Sequence, residues 1–192
     1  MANPVIAGRG LFAPGATIRS TLLAVFSALV LAGCTTDMDK GLCPSAFVLA
    51  PTSSLTVFRN GAPADPSGEL YTVSMSGMKT SCSFNKKTTS TESEVRITFR
   101  AKRAPSSEGG TYNVPYFLAV THHGDRIMTK KLFIAHVNFA PGAVTTSFED
   151  KIDSTVIKIA RGNKIGEYEI LAGLQLTQEQ LDYNIKMNRY AQ

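Results

Sequence analysis

Residues 95–102 read Val-Arg-Ile-Thr-Phe-Arg-Ala-Lys, with apolar and polar side chains alternating without a break. Because successive residues of a β-strand point to opposite faces of a sheet, one face of this segment is apolar and the other is polar and mostly cationic. Such a strand is stable only when its apolar face is covered by a second layer. The stretch therefore predicts a half-buried strand in a layered β protein.

Comparable segments recur along the chain, separated by clusters of glycine, proline, asparagine and aspartate. The other predicted strands are residues 46–50, 55–58, 70–84, 112–121, 127–139, 155–159 and 168–174. Their number and spacing predict an all-β domain, an antiparallel immunoglobulin-like β-sandwich of about seven to nine strands. The chain has no tryptophan, so the antibody pattern is missing and the topology stays open. A small β-barrel is the alternative.

Three further details of these strands are predicted. Residues 127–139 carry apolar side chains on both faces, which is typical of a central strand. The break near Gly77 either divides residues 70–84 into two strands or marks a bulge. The turn residues at 161–164, Arg-Gly-Asn-Lys, predict a hairpin between the last two strands.

The period changes at the C-terminal end, where residues 176–181 read LTQEQL. Thr177 is placed as an N-cap and Gln180 as the third helical residue of a capping box, with Leu176 and Leu181 placed as a hydrophobic staple. We expect a short C-terminal helix at residues 178–189 that covers an edge or an open end of the sandwich. A docking role toward another envelope protein is the alternative.

The leader contains the apolar run TLLAVFSALVLAGC at residues 21–34, preceded by Arg9 and Arg19. This run is too short to span a bilayer comfortably and has the flanks of a signal peptide. Its last four residues resemble the lipobox of bacterial lipoprotein precursors: Leu31, Ala32, Gly33 and Cys34. The resemblance implies a diacylglyceryl group on the Cys34 thiol, cleavage before Cys34, and acyl chains that hold the protein to a membrane.

This resemblance divides the chain into a cleaved signal peptide (1–33), a lipidated N-terminus with a tether (34–42) and a single domain (43–192). The net charge falls from +5 to +3 on cleavage, because Arg9 and Arg19 are the only charged residues of the leader. A balance this mild argues against nucleic-acid binding. Thr35 stands where an aspartate is associated with retention in the inner membrane, so the sorting pattern of such lipoproteins implies the outer membrane, with the domain in the periplasm.

Cys43 and Cys82 remain in the mature chain. In an oxidising compartment such a pair forms a disulfide, which is our prediction. Two buried free thiols are the alternative. A metal site is disfavoured, because no Cys-x-x-Cys motif or nearby histidine cluster supports it.

Residues that could carry catalysis are sparse. His122 and His123 are adjacent, so in a strand they point to opposite faces and could bind one ion only in a distorted turn. His136 lies within a predicted strand with no carboxylate at ligand spacing, and the sequence contains no Gly-x-Ser-x-Gly, phosphate-loop or His-Glu-x-x-His motif. We therefore expect a protein that is not an enzyme, with no catalytic residues, no metal and no cofactor.

One polar face could bind an anionic ligand, since Arg96, Arg100 and Lys102 project from the same side of their strand and Arg103 follows. Such a face could contact anionic lipid headgroups, lipopolysaccharide phosphates or acidic polysaccharide. A solvated strand face, whose charges discourage edge pairing, is the alternative.

A second resemblance covers most of the mature chain. Residues 43–58, CPSAFVLAPTSSLTVF, the Ser81-Cys82-Ser83 turn and residues 174–189, LQLTQEQLDYNIKMNR, resemble small uncharacterised outer-membrane lipoproteins of alphaproteobacteria. This implies a location but no chemistry. We expect a membrane-anchored envelope lipoprotein with a structural or protein-interaction domain, whose partners are the lipid bilayer, through acylated Cys34, and an envelope protein. An accessory subunit of a secretion, pilus or efflux machine and a glycan- or lipid-binding module are the alternatives.

Overall fold

The computed structural model describes residues 43–106 and 108–189. This part of the chain forms eight strands and one α-helix. The strands are β1 (Ser45–Val48), β2 (Ser54–Phe58), β3 (Glu69–Asn85), β4 (Ser90–Arg103), β5 (Gly110–His122), β6 (Arg126–Phe139), β7 (Thr145–Lys158) and β8 (Tyr168–Leu174), and helix α1 is Gln178–Met187. The predicted signal peptide, lipobox and Cys34 lie outside the described residues. Within those residues, no helix is long and apolar enough to cross a bilayer.

The strands form two four-stranded sheets. Sheet A has the order β1-β8-β5-β6 and sheet B has the order β2-β3-β4-β7. All neighbours are antiparallel except β1 and β8, which are parallel. Apolar side chains from both sheets join in one buried cluster. The predicted β-sandwich is therefore confirmed, and the alternative of a small barrel is wrong because neither sheet closes on itself.

Strand β4 contains the alternating stretch, and its pattern is realised as predicted. Val95, Ile97, Phe99 and Ala101 are buried between the sheets. The ring of Phe99 lies edge-on to that of Tyr116 in the opposite sheet, with 5.3 Å between ring centroids. Burial of each valine, isoleucine or phenylalanine side chain contributes about 1.5–3 kcal/mol to the stability of the fold. The same alternation directs the polar residues of β4 to the outer face of sheet B.

The structure corrects two of the strand predictions and decides a third. Strand β6 is an edge strand of sheet A, so the prediction that residues 127–139 form a central strand is wrong. Residues 161–164 do not form a hairpin, because β7 belongs to sheet B and β8 to sheet A, and this segment therefore connects the two sheets. The irregularity near Gly77 is a bulge within one long strand, β3.

Strand β7 begins at Thr145, ten residues before the strand predicted at residues 155–159. Its first half faces the core with Phe148 and Ile152 but is otherwise polar, which weakens the apolar alternation that a sequence pattern can detect. Pairing with β4 supplies the missing stabilisation, through a register that runs from Thr145 opposite Lys102 to Lys158 opposite Ser90.

The predicted disulfide is confirmed. Cys43, two residues before β1, is bonded to Cys82 of β3, and their Cα atoms are 5.7 Å apart. The bond connects the segment before β1 of sheet A to the long strand β3 of sheet B.

Helix α1 begins as predicted. The Thr177 side chain accepts a hydrogen bond from the Gln180 amide, and the Gln180 side chain accepts one from the Thr177 amide. The helix then packs on β2 through Tyr183 and Asn184, which are buried, whereas Ile185 is 54% exposed. The helix covers an edge strand, which is the first of the two roles considered for it.

Candidate functional site

Within the residues that the structure describes, the two sheets have four edge strands, and three of them are protected against pairing with another chain. Strand β1 is only four residues long. Strand β2 is covered by α1, whose Asn184 side chain donates a 2.6 Å hydrogen bond to the Ser54 carbonyl. Strand β7 exposes charged residues and contains Ser154 with φ +58°, next to an irregularity in its pairing with β4. Short length, cover, charge and bulges are the devices by which soluble proteins prevent edge-to-edge association.

The fourth edge strand, β6, is protected along only half of its length. Its first half carries Lys130 and Lys131 and a bulge opposite Val120 and Thr121. Its second half, residues 132–139, reads LFIAHVNF and contains neither a charged residue nor a proline. Within the described residues, β6 pairs only with β5, so its other edge has no partner strand. We call residues 132–139 the open edge.

Apolar side chains of the open edge also point away from the core. Leu132 is 65% exposed and Ile134 is 50% exposed, while the intervening Phe133 faces the sandwich. On the neighbouring strand, Phe117 lies opposite Leu132 and Pro115 lies opposite Ile134. Beside Leu132 and Ile134 the outer side of sheet A thus carries further apolar residues, although Phe117 itself is only 8% exposed.

Apolar side chains also lie on the far side of sheet A. Phe47 of β1 is 50% exposed and pairs with Leu171 of β8, which in turn lies opposite Ala119 of β5. The Lys130 ammonium is 4.3 Å from the centroid of the Phe117 ring and donates a hydrogen bond to Gln175. We call this surface, with the open edge, the sheet A face. Its exposed large apolar side chains lie on β1 and β6, and between them Lys130, which lies opposite Ala119, covers the Phe117 ring.

The predicted cationic residues lie together on the outer face of sheet B, but they are not equivalent. Arg96 forms ion pairs with Glu94 at 2.8 Å and with Glu149 at 3.2 Å. Lys151 also pairs with Glu94, at 2.9 Å. Hydrogen bonds from Lys151 and then from Arg96 lower the pKa of the Glu94 carboxyl. Arg96 is thus neutralised by its own sheet and is a poor candidate for anion binding.

Arg100 and Lys102 have no such partners among the described residues. Their flanks are hydroxyl side chains: Ser74 and Ser147 lie opposite Arg100, and Thr72 and Thr145 lie opposite Lys102. These residues line a shallow groove of about 490 Å³. Of the three cations predicted for an anionic-ligand face, Arg100 and Lys102 are therefore the two without acidic partners among the described residues, and they lie within a row of hydroxyl groups. Arg103 points elsewhere, donating hydrogen bonds to the carbonyls of residues 108, 140 and 143.

A third feature lies at one end of sheet A, where His122 and His123 meet Glu167. His122 ends β5, and His123 follows in the turn to β6 with φ +56°, a left-handed conformation. The two imidazole centroids are 4.1 Å apart. The rings therefore do not point to opposite sides as they would in a regular strand. This is the distorted turn that a shared ion requires.

Glu167 reaches this turn from the connection between β7 and β8. Its carboxylate oxygen Oε2 is 3.3 Å from Nε2 of His122 and 3.9 Å from Nε2 of His123. A hydrogen bond from the Lys164 amide, followed by the one from His122, lowers the pKa of Glu167. The backbone amide of His123 also donates a 2.7 Å hydrogen bond to the carbonyl of Glu167, which joins the two turns.

Sequence reasoning missed the open edge and the grouping of Glu167 with the histidines. The open edge has a signal in the sequence, because residues 127–139 are apolar on both faces, but this pattern predicts a central strand. Glu167 has no such signal, because nothing in the local sequence indicates that a carboxylate in a distant turn will contact the two histidines.

No family model, curated protein or solved structure matches the chain.

Proposed function

We propose that the protein is a non-enzymatic lipoprotein of the outer membrane, anchored through acylated Cys34, whose periplasmic β-sandwich binds another envelope protein along the open edge of β6. The observation that carries the proposal is the contrast between the four sheet edges. Three are shortened, covered or charged, whereas residues 132–139 form an uncharged eight-residue edge that has no partner strand within the described part of the chain. Selection against aggregation disfavours such an edge unless a partner covers it.

The chemistry of the open edge defines the partner. An extended strand can add to β6 through main-chain hydrogen bonds, with its own alternate side chains packing beside Leu132 and Ile134. Strand β6 contains Arg126, Lys130 and Lys131 and no acidic residue, so we expect acidic side chains at one end of the partner strand. The partner is thus a polypeptide with an extended, alternately apolar segment flanked by acidic residues, which an accessory subunit of an envelope assembly would provide.

A polypeptide suits the open edge better than a lipid surface does. Unpaired backbone amides and carbonyls along a strand are satisfied in register by another strand. Acyl chains offer no hydrogen-bonding groups, and burying the edge against them leaves polar backbone groups unsatisfied, which is costly. The exposed apolar side chains alone are compatible with a polypeptide or with a lipid surface. The unpaired backbone groups of the open edge favour the polypeptide.

Site-specific photocrosslinking in intact cells tests the proposal. A photoreactive amino acid at Leu132 should give one major adduct with another envelope protein. The same residue at Val156, which is 54% exposed on the other sheet, should not give this adduct. Peptide mapping should place the crosslink in a segment with alternating apolar residues and acidic flanks, and a synthetic peptide of that segment should bind the purified protein.

The substitution Ile134→Lys places a charge on the open edge and should abolish the adduct formed at Leu132. Val156→Lys is the matched control and should leave the adduct unchanged. An adduct with a second copy of the chain, or with lipid only, would overturn the proposed partner. So would an adduct that survives Ile134→Lys in a protein whose thermal unfolding is unchanged.

The anchor requires its own test. Intact mass measurement on protein extracted from membranes should show the mature chain beginning at Cys34 and carrying acyl groups. Cys34→Ser should leave the precursor uncleaved and unacylated. Unaltered maturation and membrane partitioning in this variant would contradict lipid attachment at Cys34.

A second candidate function rests on Arg100 and Lys102, which have no acidic partner within the described residues and lie in a hydroxyl-lined groove, an arrangement that favours a phosphate-bearing or acidic glycan ligand. Arg100→Ala combined with Lys102→Ala should weaken binding to vesicles containing phosphatidylglycerol, or to an acidic polysaccharide, and should reduce the salt dependence. Arg96→Ala is the matched control, because Arg96 is already paired with two carboxylates. Equal binding by all three proteins would exclude this function.

A further inference from the structure

We infer that His122, His123 and Glu167 form a binding site for one divalent transition-metal ion, with Zn²⁺ as the best match to the donors. Two imidazole nitrogens and one carboxylate oxygen are borderline ligands that suit zinc, and a three-ligand set of this type leaves a fourth position for water. Within the described residues, this is the group of potential ligands whose donor atoms converge, all lying within 4.8 Å of one another.

The spacing of the donors is close to that of a metal site. In tetrahedral coordination with metal–ligand distances near 2.1 Å, neighbouring ligand atoms are about 3.4 Å apart. Nε2 of His122 and Oε2 of Glu167 are already 3.3 Å apart, and Nε2 of His123 is 3.9 Å from the same oxygen. The side chain of His123 is 62% exposed, so a rotation of this ring can complete the site without disturbing the core.

The backbone holds the site together before any ion binds. The left-handed conformation of His123 folds its ring back beside that of His122. A β-branched or bulky residue seldom adopts this conformation, and even for histidine it is uncommon. The hydrogen bond from the His123 amide to the Glu167 carbonyl fixes the turn after β5 against the turn before β8.

One group beside His122 must move when an ion binds. Nδ2 of Asn163 is 2.9 Å from Nε2 of His122, and it donates a hydrogen bond to the Tyr168 hydroxyl. An ion bound by this nitrogen displaces the amide of Asn163. The ring of His122 packs against that of Tyr168, with 4.8 Å between centroids, and this contact keeps the imidazole in place when the amide moves. Metal binding would therefore tie the connection between the two sheets to the end of β5.

Isothermal titration calorimetry of the untagged mature protein, in detergent and with Zn²⁺ alone, tests the inference. We expect one saturable site per chain, and Co²⁺ should give the visible absorption of a four-coordinate ion. His123→Ala and Glu167→Gln should each weaken the affinity by about tenfold or more. These two residues are preferred to His122 as variants because their side chains are more exposed, so their loss leaves the domain folded.

His136→Ala is the matched control. His136 is an exposed histidine on β6 whose Nδ1 bonds to the Asn113 side chain, far along the strand from the turn. Its replacement should leave the affinity unchanged, while Asn163→Ala should leave it unchanged or raise it. The inference is overturned if no saturable binding with one ion per chain occurs, if His123→Ala and Glu167→Gln bind as the parent does, or if His136→Ala weakens binding as much as they do.

Discussion

The hydroxyl of Tyr116 donates a 2.8 Å hydrogen bond to the Asp150 carboxylate and so joins β5 of sheet A to β7 of sheet B. Tyr116 is fully buried, and its ring lies against Phe133 in its own sheet and Phe99 in the opposite one. The side chain therefore acts both as a large apolar core residue and as a polar connection between the layers. A buried phenol needs such a partner, because an unpaired hydroxyl in the core is costly.

Tyr116→Phe should destabilise the domain by about 1.5–3 kcal/mol, since it removes the hydrogen bond to a charged acceptor and leaves Asp150 without that donor. Urea unfolding followed by circular dichroism measures the change. Tyr112→Phe is the matched control, because the Tyr112 hydroxyl makes no hydrogen bond within the described residues while its ring packs on Tyr71. Equal losses in the two variants would show that the bond to Asp150 contributes nothing specific.

The same bond predicts a pH dependence. Burial, and then the hydrogen bond to Asp150, raise the pKa of Tyr116 far above its usual value. The folded protein therefore keeps this phenol protonated at pH values where the unfolded chain ionises it, near pH 10. Its contribution to stability is complete below about pH 10 and is lost as the pH rises further. The difference in unfolding free energy between the parent and Tyr116→Phe should be constant up to about pH 10 and narrow between about pH 10 and pH 11.5, which urea titrations at several pH values measure.

Sequence patterns predicted the strands of the sandwich well because burial of one face leaves a periodic mark. They failed at β6 because periodicity shows which side chains are apolar but not what covers them. Leu132 and Ile134 are residue types that are usual on a buried face, but in the structure both side chains are exposed. These two residues thus explain why the prediction of a central strand is wrong, and they also form the proposed partner surface.

Residues of the candidate sites can be predicted from the sequence only where they belong to a single strand. Arg96, Arg100 and Lys102 were correctly placed on one face, but the ion pair of Arg96 with Glu149 joins residues 53 positions apart and could not be foreseen. Glu167 likewise reaches His122 across 45 positions. Pairings of this kind depend on the order of the strands in the two sheets, which local sequence does not determine.

Removing the Cys43–Cys82 disulfide should cost about 4 kcal/mol on the chain-entropy model. The bond closes a loop between residues separated by 39 positions and secures the segment before β1, a short edge strand. Denaturant unfolding of Cys43→Ser with Cys82→Ser should shift to a lower midpoint, and reductant should shift the parent protein in the same way. Cys34→Ser should leave the midpoint unchanged, because Cys34 takes no part in the bond. A reductant-insensitive parent would contradict the prediction.

Gly173→Ala should destabilise the domain by about 1–3 kcal/mol through overpacking. A Cβ atom at Gly173 would lie 2.6 Å from Cζ of Phe117 and even closer to the Thr52 hydroxyl, so neighbouring atoms would have to shift. Gly166→Ala is the matched control, since nothing lies within 4 Å of a Cβ atom there and its backbone is not left-handed. Thermal unfolding should therefore separate the two variants by several degrees, and a Gly173→Ala protein as stable as the control would show that the contact relaxes freely.

Asn184 and Ile185 are neighbours on α1 with opposite surroundings, and their replacement should show which face of the helix holds it. Asn184 is fully buried, and its amide nitrogen donates to the carbonyls of Ser54 and Pro51. Asn184→Ala leaves both carbonyls without this donor, so we expect a loss of about 1–3 kcal/mol. It should also increase hydrogen exchange at the helix amides. Ile185→Ala removes a half-exposed side chain and should change stability by less than about 0.5 kcal/mol. A larger effect of Ile185→Ala on helix exchange would mean that the helix is held by a surface other than β2.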